Sequence, residues 1–572
     1  MAQYFKSNEL RLGNNLPLLR DRSVFPDESV DLIYLDPPLQ PHRGSHVAAK
    51  EVAPAPYESI IPMATNIWRW DAESTERFNE IVHTGTPKLK AVVGALQTVL
   101  GHSAMFSYIC NMVPRLQESW RILRKSGSIF IHGDPIASHY LKIIVDALFG
   151  QKALVNEIVW KRVESHKDVI HTGNYMGRIH DIILYYRKSD KSVFHMPTVA
   201  GSDDYVDHFF PHTDFQTGRR YRLGDVTTTR KPPHALYEWR IKRQEDQGKW
   251  MGDLNDDYLS PQEGWEYRLV EPYKGRHWAL PKEMMTQAEH ESMLVYSRTG
   301  YPHVKRYMPS AGIPVQDLWT DIAPVTGNDR LYASQKPRGL LDRIVAMASN
   351  PGCVVLDPFC GCGPTLEAVE LANRQTPDEE PRVWIGIDNN MLAINLVRNR
   401  LGRFSQPAVQ YKSFGEIKDL KQAELFAARH PLEFQYWAFS LIGARPLGGD
   451  KTRMSPDRPV DGVRFFKEKS MLKPATILVH VHIGSAKAED IRGIMKFCDR
   501  TKAPMGVVIC LQEPTRDAIA EAQSSGAYAS EGFSRNFPRV QVASIEELLK
   551  DSRRSEHSCI LLPPRYPGEL LK

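Results

Sequence analysis

A pair of closely spaced glycines follows a hydrophobic run late in the chain: Val354–Leu356 leads to Asp357, and Gly361 and Gly363 come just after it. Backbone amides at such a turn can approach a ligand closely, and the N-terminus of a following helix favours a negatively charged group such as a carboxylate. Asp388 ends the next strand, where an acidic side chain can hold ribose hydroxyls. A tight turn with a helix cap also explains the glycine pair alone. The added acid favours binding of an adenosyl ligand.

A second candidate, Asp36-Pro37-Pro38-Leu39, follows the apolar run Val30–Leu35. The exocyclic amine of a nucleobase is a poor nucleophile because its lone pair is delocalised into the ring. A carboxylate and a backbone carbonyl that both accept hydrogen bonds from this amine would direct the lone pair toward a methyl donor. Asp36 can supply the carboxylate, and the two prolines fix φ and remove amide donors, so a carbonyl can point into the site. Alone, this motif is also a common turn.

The elements that must position these residues alternate between strand and helix. Val30–Leu35 and Val354–Leu356 are short apolar runs typical of buried parallel strands. The stretch from Gln40 to about Ile67 has no periodicity and predicts a mobile loop. Further strands are predicted at Ser128–His132, Glu157–Lys161, Asp181–Tyr186 and Val383–Ile387, and helices within Leu89–Arg124, His139–Phe149, Ser334–Ser349 and Thr365–Ala372. This alternation indicates an α/β fold built of βαβ units around a parallel sheet.

The residue pattern changes in the middle of the chain, where tryptophans and tyrosines alternate with basic residues, as in Trp239-Arg240 and Tyr267-Arg268. Helical periodicity is weak there, which predicts an inserted domain of short strands and loops. A third unit follows, with strands at Ile477–Val481 and Gly506–Cys510 and a helix at Ile545–Lys550. The predicted domains are the first half of a core, the insert, the second half of the core and a C-terminal domain, at 1–188, 189–314, 315–405 and 410–572.

Composition excludes several classes of protein. The 572 residues are 42% hydrophobic and 25% charged, which is ordinary for a globular chain and excludes global disorder, collagen-like repeats and disulfide miniproteins. No apolar run approaches the length of a membrane span, and the first residues lack the apolar core of a signal peptide. Seven sparse cysteines fit reduced thiols in a cytoplasm. A net charge of +5 is compatible with nucleic-acid binding but does not argue for it.

In their order along the chain, these motifs resemble those of amino-methylating DNA methyltransferases, which use S-adenosylmethionine to methylate adenine N6 or cytosine N4. The matching motifs are Leu35-Asp36-Pro37-Pro38, Gln335-Lys336-Pro337, Asp357-Pro358-Phe359-Cys360-Gly361-Cys362-Gly363 and Gly386-Ile387-Asp388. The catalytic motif precedes the cofactor loop, which resembles the circularly permuted β class. The resemblance covers roughly residues 8–405. It implies a Rossmann-like methyltransferase sheet with an inserted target-recognition domain.

The resemblance also implies roles for individual residues. Catalysis is expected of Asp36, Pro37, Pro38 and Leu39. S-adenosylmethionine is expected to bind Gln335, Lys336, Pro337, Asp357, Phe359, Gly361, Gly363 and Asp388. Double-stranded DNA is expected to contact Arg240, Arg268, Arg276, Lys305 and Arg306 of the insert. The target base would be extruded from the duplex and methylated directly. No metal is expected, because Cys360 and Cys362 have no second cysteine pair at ligand spacing.

Two positions depart from the family pattern. The family usually has an aromatic residue after the two prolines, which stacks on the flipped base, where this chain has Leu39. Stacking on a base is worth about 1–3 kcal/mol, so its loss would weaken capture of the base by one or two orders of magnitude unless another aromatic residue, such as Trp68 or Trp70, substitutes. The family also commonly has Gly-Asp where this chain has Gly13-Asn14.

The C-terminal unit resembles a restriction-endonuclease-like α/β domain. That nuclease family pairs an acid on one strand with an acid or Gln two residues before a Lys on the next, to bind Mg²⁺ and activate water. Asp461 matches the first acid, but the second pair is His480-Val481-His482, without the lysine. Both histidines are expected on one face of a strand, where a metal site is one interpretation and exposed histidines without function the favoured one. We therefore expect a degenerate nuclease fold that binds DNA or docks a protein.

The leading hypothesis is a site-specific DNA adenine N6-methyltransferase in a restriction-modification or defence system, since an Asp before the two prolines favours adenine within the family. Its expected partners are double-stranded DNA, and a second copy of the chain or a restriction or defence protein. Three alternatives stay open: a cytosine N4 methyltransferase, a single-chain restriction-modification enzyme whose C-terminal unit cuts DNA, and a catalytically lapsed DNA-binding subunit.

Overall fold

The computed structural model divides the chain into two compact units. One comprises Met1–His195 and Gln316–Lys572, and the other is Met196–Val315. The residues described are 4–38, 68–163, 176–230, 237–243, 258–259, 266–272, 274–297, 301–325, 335–404, 407–429, 431–446, 460–468, 474–530, 532–533, 535–551 and 559–564. The loop predicted at 40–67 lies outside them. Within these ranges, none of the helices is both long and apolar enough to cross a membrane.

The first unit opens with five strands and five helices, several of them at predicted positions. The strands are β1 (Asn8–Leu12), β2 (Val30–Leu35), β3 (Leu123–Gly133), β4 (Leu154–Lys161) and β5 (His180–Arg187). The helices are α1 (Asn15–Arg20), α2 (Ala72–Thr84), α3 (Pro87–Leu100), α4 (Ala104–Ile122) and α5 (Ala137–Phe149), and a 3-10 turn spans Gln151–Ala153. The helical periodicity between residues 89 and 124 corresponds to two helices, since Gly101 ends α3 and the Ser103 side chain caps α4.

The second unit is mainly antiparallel. Its strands are β6 (Thr198–Val199), β7 (His212–Thr213), β8 (Arg220–Asp225), β9 (Thr227–Thr228), β10 (Trp239–Arg243), β11 (Tyr258–Leu259), β12 (Glu266–Val270), β13 (His277–Trp278), β14 (Leu294–Ser297), β15 (Pro302–Tyr307) and β16 (Ile313–Pro314). Five of them form a sheet in the order β11-β14-β15-β8-β7. Aromatic residues from the basic and aromatic stretch form a small core that includes Trp239, Trp278 and Tyr296. Two helices, α6 (Asp203–Phe209) and α7 (Lys282–His290), were not expected, because segments of seven and nine residues are too short to show clear periodicity.

The chain then completes the sheet of the first unit. The strands are β17 (Leu318–Trp319), β18 (Val354–Asp357), β19 (Val383–Asp388) and β20 (Tyr411–Phe414), and the helices are α8 (Arg338–Ala348), α9 (Pro364–Gln375) and α10 (Met391–Leu401). The nine strands have the order β17-β4-β5-β3-β2-β18-β19-β1-β20. β20 pairs with β1 although it lies beyond the domain boundary predicted at residue 410, so the sheet extends past that boundary.

The order of this sheet determines where the site lies. β2 pairs in parallel with both β3 and β18, and β18 pairs in parallel with β19. All residues of β2 and β18 are buried, as expected for parallel strands covered on both faces. Because the carboxyl ends of parallel neighbours meet at one edge of a sheet, the residues after β2, β18 and β19 are brought together there.

The remaining residues of the first unit build a smaller sheet. Its elements are α11 (Leu420–Arg429), α12 (Pro431–Leu441), β21 (Arg445–Pro446), β22 (Gly462–Phe466), β23 (Ala475–His482), α13 (Ala488–Thr501), β24 (Met505–Cys510), α14 (Arg516–Ser524), β25 (Ala527–Ala529), β26 (Asn536–Pro538), β27 (Val540–Ser544) and α15 (Ile545–Asp551). The strand order is β21-β22-β23-β24-β27, with β23, β24 and β27 parallel. The sheet has a hydrophobic core of its own that includes Leu478, Ile491 and Val508. The three elements predicted here from sequence are present.

Candidate active site

A cavity of about 400 Å³ opens where β2, β18 and β19 end. Asp36 and Pro38 line it from the end of β2, and Asp357 and Asp388 line it from the ends of β18 and β19. The two motifs that the sequence placed about 320 residues apart therefore share one cavity. Of the residues predicted to bind cofactor, those that line the cavity are Gln335, Lys336, Asp357, Phe359, Gly361 and Asp388.

Other predicted site residues lie elsewhere. Pro37 is buried beside the cavity and does not line it. Pro337 is the residue that precedes the first turn of α8, and Gly363 has the same position before α9; neither of them lines the cavity. Leu39 lies outside the described residues.

The loop from Asp357 to Gly363 is shaped by the backbone conformation of Gly363 and by hydrogen bonds to two carboxyl groups. Gly363 has a φ of +78°, and a Cβ there would lie 2.9 Å from the Val397 side chain. Only glycine adopts this left-handed conformation at no steric cost. One oxygen of Asp388 accepts a hydrogen bond from the Gly361 amide at 2.9 Å, which ties the loop to the end of β19. The Asp357 carboxylate accepts from the Phe359 amide at 3.1 Å and from the Thr365 hydroxyl at 2.5 Å.

Two of the carboxyl groups at this edge have perturbed acidity. Burial, together with the negative charges of Asp36 and Asp388, raises the pKa of Asp357 to about 7. Burial also raises the pKa of Asp388 to about 6, against the hydrogen bonds from the Asn390 and Gly361 amides. A positively charged ligand beside Asp357 and Asp388 would stabilise their ionised forms.

The structure places Lys336 beside the carboxylate of Asp36. Its ammonium lies 2.9 Å from Asp36 Oδ1, and both side chains are largely buried, with exposed fractions of 13% and 15%. A cofactor with a sulfonium group would be repelled by this ammonium. The expectation that Lys336 binds cofactor therefore fits the geometry less well than a role in orienting Asp36.

Trp68 lies against the Asp-Pro-Pro motif. Its indole N–H donates a hydrogen bond to the Pro38 carbonyl at 2.8 Å, and the ring lines the cavity. The ring also packs edge-on against Tyr108, with centroids 5.1 Å apart. Trp70, the other aromatic residue considered, instead stacks on His102 and Phe106, and it does not line the cavity.

A buried arginine that sequence reasoning missed faces the same cavity. Arg115 of α4 is 8% exposed and donates to Asn15 Oδ1 at 2.7 Å, to the Asn111 carbonyl at 2.7 Å and to Asn14 Oδ1 at 3.1 Å. A guanidinium carries five N–H groups, so two of them have no acceptor among the described residues. No described carboxylate forms an ion pair with it, and burial lowers the pKa of Arg115 to about 10. The only sequence signal was a basic residue within an otherwise apolar stretch of helix.

A second group missed by sequence reasoning lies beneath β2. The Tyr34 hydroxyl is 2.8 Å from His132 Nδ1, and His132 Nε2 is 3.2 Å from Asp181 Oδ2. A carboxylate only accepts hydrogen bonds, so Nε2 carries the proton that is shared with Asp181. Although burial opposes it, the hydrogen bond and charge of His132 lower the pKa of Asp181 to about 2. These hydrogen bonds link β2, β3 and β5, and Tyr34 lines the cavity.

The residues predicted to contact DNA have varied environments in the second unit. Arg306 is exposed on β15. Arg276 forms an ion pair with Asp225 and hydrogen bonds to Thr227. Lys305 is 6% exposed, with its ammonium 3.3 Å from Asp214 and over the Tyr221 ring, and this burial does not fit the predicted phosphate contact. Arg240 and Arg268 lie on the paired strands β10 and β12, and their side chains lie outside what the structure describes.

Comparison with known proteins identifies the family. A model of the N6/N4 DNA methylase family matches residues 30–399, which is more than half of the chain. The chain belongs to this DNA methylase family.

Individual relatives agree with that family. The Type II methyltransferase M.EcaI of Enterobacter cloacae is 26% identical over 309 residues, 53% of this chain and 60% of that protein. The StyLTI Mod subunit, from a Type III restriction-modification enzyme of Salmonella typhimurium, is 22% identical over 455 residues, 77% of this chain and 61% of that protein. This chain thus spans about three fifths of the length of both relatives. Among solved structures, TTHA0409 of Thermus thermophilus complexed with S-adenosyl-L-methionine is 15% identical, with a TM-score of 0.32, over 72% of this chain and 99% of that one.

Proposed function

We propose that this chain is a DNA methyltransferase that transfers a methyl group from S-adenosylmethionine to the N6 amine of a flipped adenine. The observation that carries the proposal is the single cavity lined by both Asp36 and the loop that starts at Asp357. A methyl donor and its acceptor must be held within about 3–3.5 Å of each other, and only a shared cavity allows that. The choice of adenine rests on the resemblance, in which Asp rather than Ser precedes the two prolines.

The cavity suits the charges of S-adenosylmethionine. Its sulfonium is cationic, and the carboxyl groups at the ends of β18 and β19 are the complementary charges. Asp388 would hold the ribose hydroxyls, while the Phe359 ring and the Gly361 backbone would contact the adenosyl group. The carboxylate of the methionine portion would bind the two free N–H groups of Arg115 as a bidentate ion pair.

Asp36, which lines the cavity, and the carbonyl of Pro37, which is buried beside it, are the acceptors proposed for the target amine. No described residue donates a hydrogen bond to the Pro37 carbonyl, whereas Trp68 occupies that of Pro38. Two acceptors on one NH₂ group localise its lone pair toward the cavity, and bound S-adenosylmethionine supplies the electrophilic methyl group. Lys336 keeps the Asp36 carboxylate oriented toward the amine. The methyl–nitrogen bond forms as the methyl–sulfur bond breaks, with S-adenosylhomocysteine as the leaving group, and the methylated amine would lose its proton to Asp36 or to solvent.

Trp68 would supply the aromatic surface that Leu39 lacks. Its ring borders the cavity beside Pro38, which is where an extruded base must enter to reach Asp36. Stacking on an indole is worth about 1–3 kcal/mol per base, and so compensates for an aliphatic residue after the two prolines.

Double-stranded DNA is the proposed substrate, with Met196–Val315 as its recognition unit and the exposed Arg306 among its contacts. The same proposal has three further parts. The motifs have the circularly permuted order of the β class, the protein is located in the cytoplasm, and the C-terminal sheet derives from a nuclease-like domain. A restriction-modification role, with a second copy or a restriction protein as partner, is supported by the names of the Type II and Type III relatives.

The test is methyl transfer from labelled S-adenosylmethionine to mixed-sequence duplex DNA, with the modified base identified by mass spectrometry. We expect N6-methyladenine from the full chain and none from Asp36→Ala. N4-methylcytosine would retain the family and overturn the choice of base. Absence of any product from a protein that binds cofactor would overturn the proposed activity in favour of a lapsed DNA-binding subunit.

A further inference from the structure

Two histidines and an aspartate converge on one side of the smaller sheet, far in sequence from the cavity motifs. His480 and His482 are two residues apart on β23 and share a face of the strand. Asp490 reaches them from the first turn of α13. Each residue offers one ligand atom, and the three atoms lie within 4.8 Å of one another. Their side chains are 16%, 34% and 22% exposed, so an ion from solvent can reach them.

A fourth residue fixes the orientation of His480. Asp461 Oδ2 lies 2.7 Å from His480 Nδ1 and also accepts a hydrogen bond from the Val481 amide at 3.0 Å. Because a carboxylate only accepts, His480 carries its proton on Nδ1, and the lone pair of Nε2 is available. Histidines that bind metals commonly donate their second N–H to a carboxylate in this way, which fixes the tautomer and raises the basicity of the ligand.

Among the described residues, no lysine or arginine forms an ion pair with the carboxylates of the cluster, Asp461 and Asp490. Asp490 uses one oxygen to accept from the Lys487 amide at 2.7 Å, and its other oxygen faces His482. Two carboxylates and two imidazoles, with no lysine or arginine paired to them in the described ranges, are a suitable environment for a cation.

We propose that His480, His482 and Asp490 bind a divalent transition-metal ion of the zinc type. Asp461 orients His480 through the hydrogen bond to its Nδ1. Two nitrogen ligands and one oxygen ligand suit zinc and disfavour magnesium, which prefers oxygen ligands. Zinc–ligand bonds of about 2.0–2.1 Å require tetrahedral ligand atoms to lie about 3.4 Å apart, so the side chains close by about an ångström on binding. The ion would join β23 to the start of α13.

Isothermal titration of the full chain with zinc chloride tests this site. We expect one zinc ion to bind per chain. The double variant His480→Ala/His482→Ala should not bind it. The control variant His290→Ala, which removes an exposed histidine of the other unit, should bind it as the wild type does. Asp461→Asn should weaken the affinity about 10–100-fold, the usual effect of losing a carboxylate that supports a ligand. Magnesium chloride should not compete. Cobalt substituted for zinc should give the strong visible absorption of a tetrahedral site.

Thermal unfolding distinguishes the loss of zinc binding from a loss of folding. Zinc should raise the unfolding midpoint of the wild-type chain and of His290→Ala but not that of His482→Gln, a milder change that keeps a polar side chain on β23. The proposal is overturned if the wild type binds no stoichiometric zinc, or if the double variant retains it. It is also overturned if magnesium binds the cluster more tightly than zinc, since an oxygen-dominated, nuclease-like site would then be present.

Discussion

At the scale of one residue, the buried Arg115 gives a test of the proposed contact with the carboxylate of S-adenosylmethionine. We expect Arg115→Gln to bind S-adenosylmethionine about 10–100-fold more weakly, because hydrogen bonds to charged groups are worth about 1.5–3 kcal/mol. Decarboxylated S-adenosylmethionine, which lacks the group that Arg115 would hold, should bind the variant and the wild type equally. Calorimetry with both ligands measures this difference. Equal weakening for both ligands would show that Arg115 acts only through its contacts with Asn14 and Asn15.

A second prediction concerns Lys336. The resemblance implies that it binds the cofactor, whereas its position in the structure favours a role in orienting Asp36. If Lys336 orients Asp36, Lys336→Met should lower kcat about 10–100-fold through loss of one charged hydrogen bond. The affinity for S-adenosylmethionine should be unchanged or increased, because a cation has been removed from the cavity. A variant that binds cofactor more weakly at unchanged kcat would instead restore the cofactor-binding role. Equilibrium binding and single-turnover rates measure the two quantities.

The raised pKa values of two carboxyl groups predict how binding depends on pH. The pKa of Asp357 is raised from 3.8 to about 7 and that of Asp388 to about 6, so in the free protein each contributes stability at low pH that is lost as pH rises through these values. A bound sulfonium favours the ionised forms. S-adenosylmethionine should therefore bind more tightly as pH rises from about 5.5 to 8, with release of protons.

S-adenosylhomocysteine, which has no sulfonium charge, is the control for this pH dependence. Its affinity should change little over the same range. The two profiles are compared by calorimetry in buffers of different ionisation enthalpy, and parallel profiles would show that the carboxyl groups do not sense the charge of the cofactor.

At the scale of elements, the loop between β18 and α9 depends on Gly363. Gly363→Ala should lower the free energy of unfolding by about 1 kcal/mol or more, since it combines a φ of +78° with a contact of 2.9 Å to Val397, and should weaken cofactor binding through the displaced loop. Gly94→Ala is a matched control. Gly94 lies inside α3, and a Cβ added there would meet nothing within 4 Å, so alanine should stabilise by about 0.5–1 kcal/mol. Urea unfolding compares the variants, and equal effects at both glycines would contradict this account of the loop.

Most strands and helices could be predicted from the sequence, whereas the pairing of strands and the contacts between distant side chains could not. β2, β18 and β19 are short apolar runs, and the structure has strands at each. Periodicity carries no information about which strands are neighbours, so the pairing of β20 with β1 was missed. The ion pair between Asp36 and Lys336 joins residues 300 positions apart. His132 and Arg115 acquire their interest only from burial, which a single sequence does not show.

At the scale of the whole molecule, the site is assembled from two separated parts of the chain. β2 and β18 are neighbours in one sheet, although the unit Met196–Val315 interrupts the sequence between them. The resemblance to DNA methyltransferases predicted this arrangement of motifs, and the family match over residues 30–399 confirms the family. Composition contributed only exclusions, because a net charge of +5 spread over 572 residues does not distinguish a nucleic-acid enzyme from other globular proteins.

The most direct test of the shared cavity measures cofactor binding and methyl transfer on the same preparations of the wild type and Asp36→Asn. Asparagine keeps the shape of the side chain and one acceptor oxygen, but it loses the negative charge and the ion pair with Lys336. We predict that both proteins bind S-adenosylmethionine at one site per chain with similar affinity, and that the variant forms N6-methyladenine about 10-fold or more slowly than the wild type. A variant that transfers methyl groups at the wild-type rate would contradict the assignment of Asp36 as the acceptor for the amine.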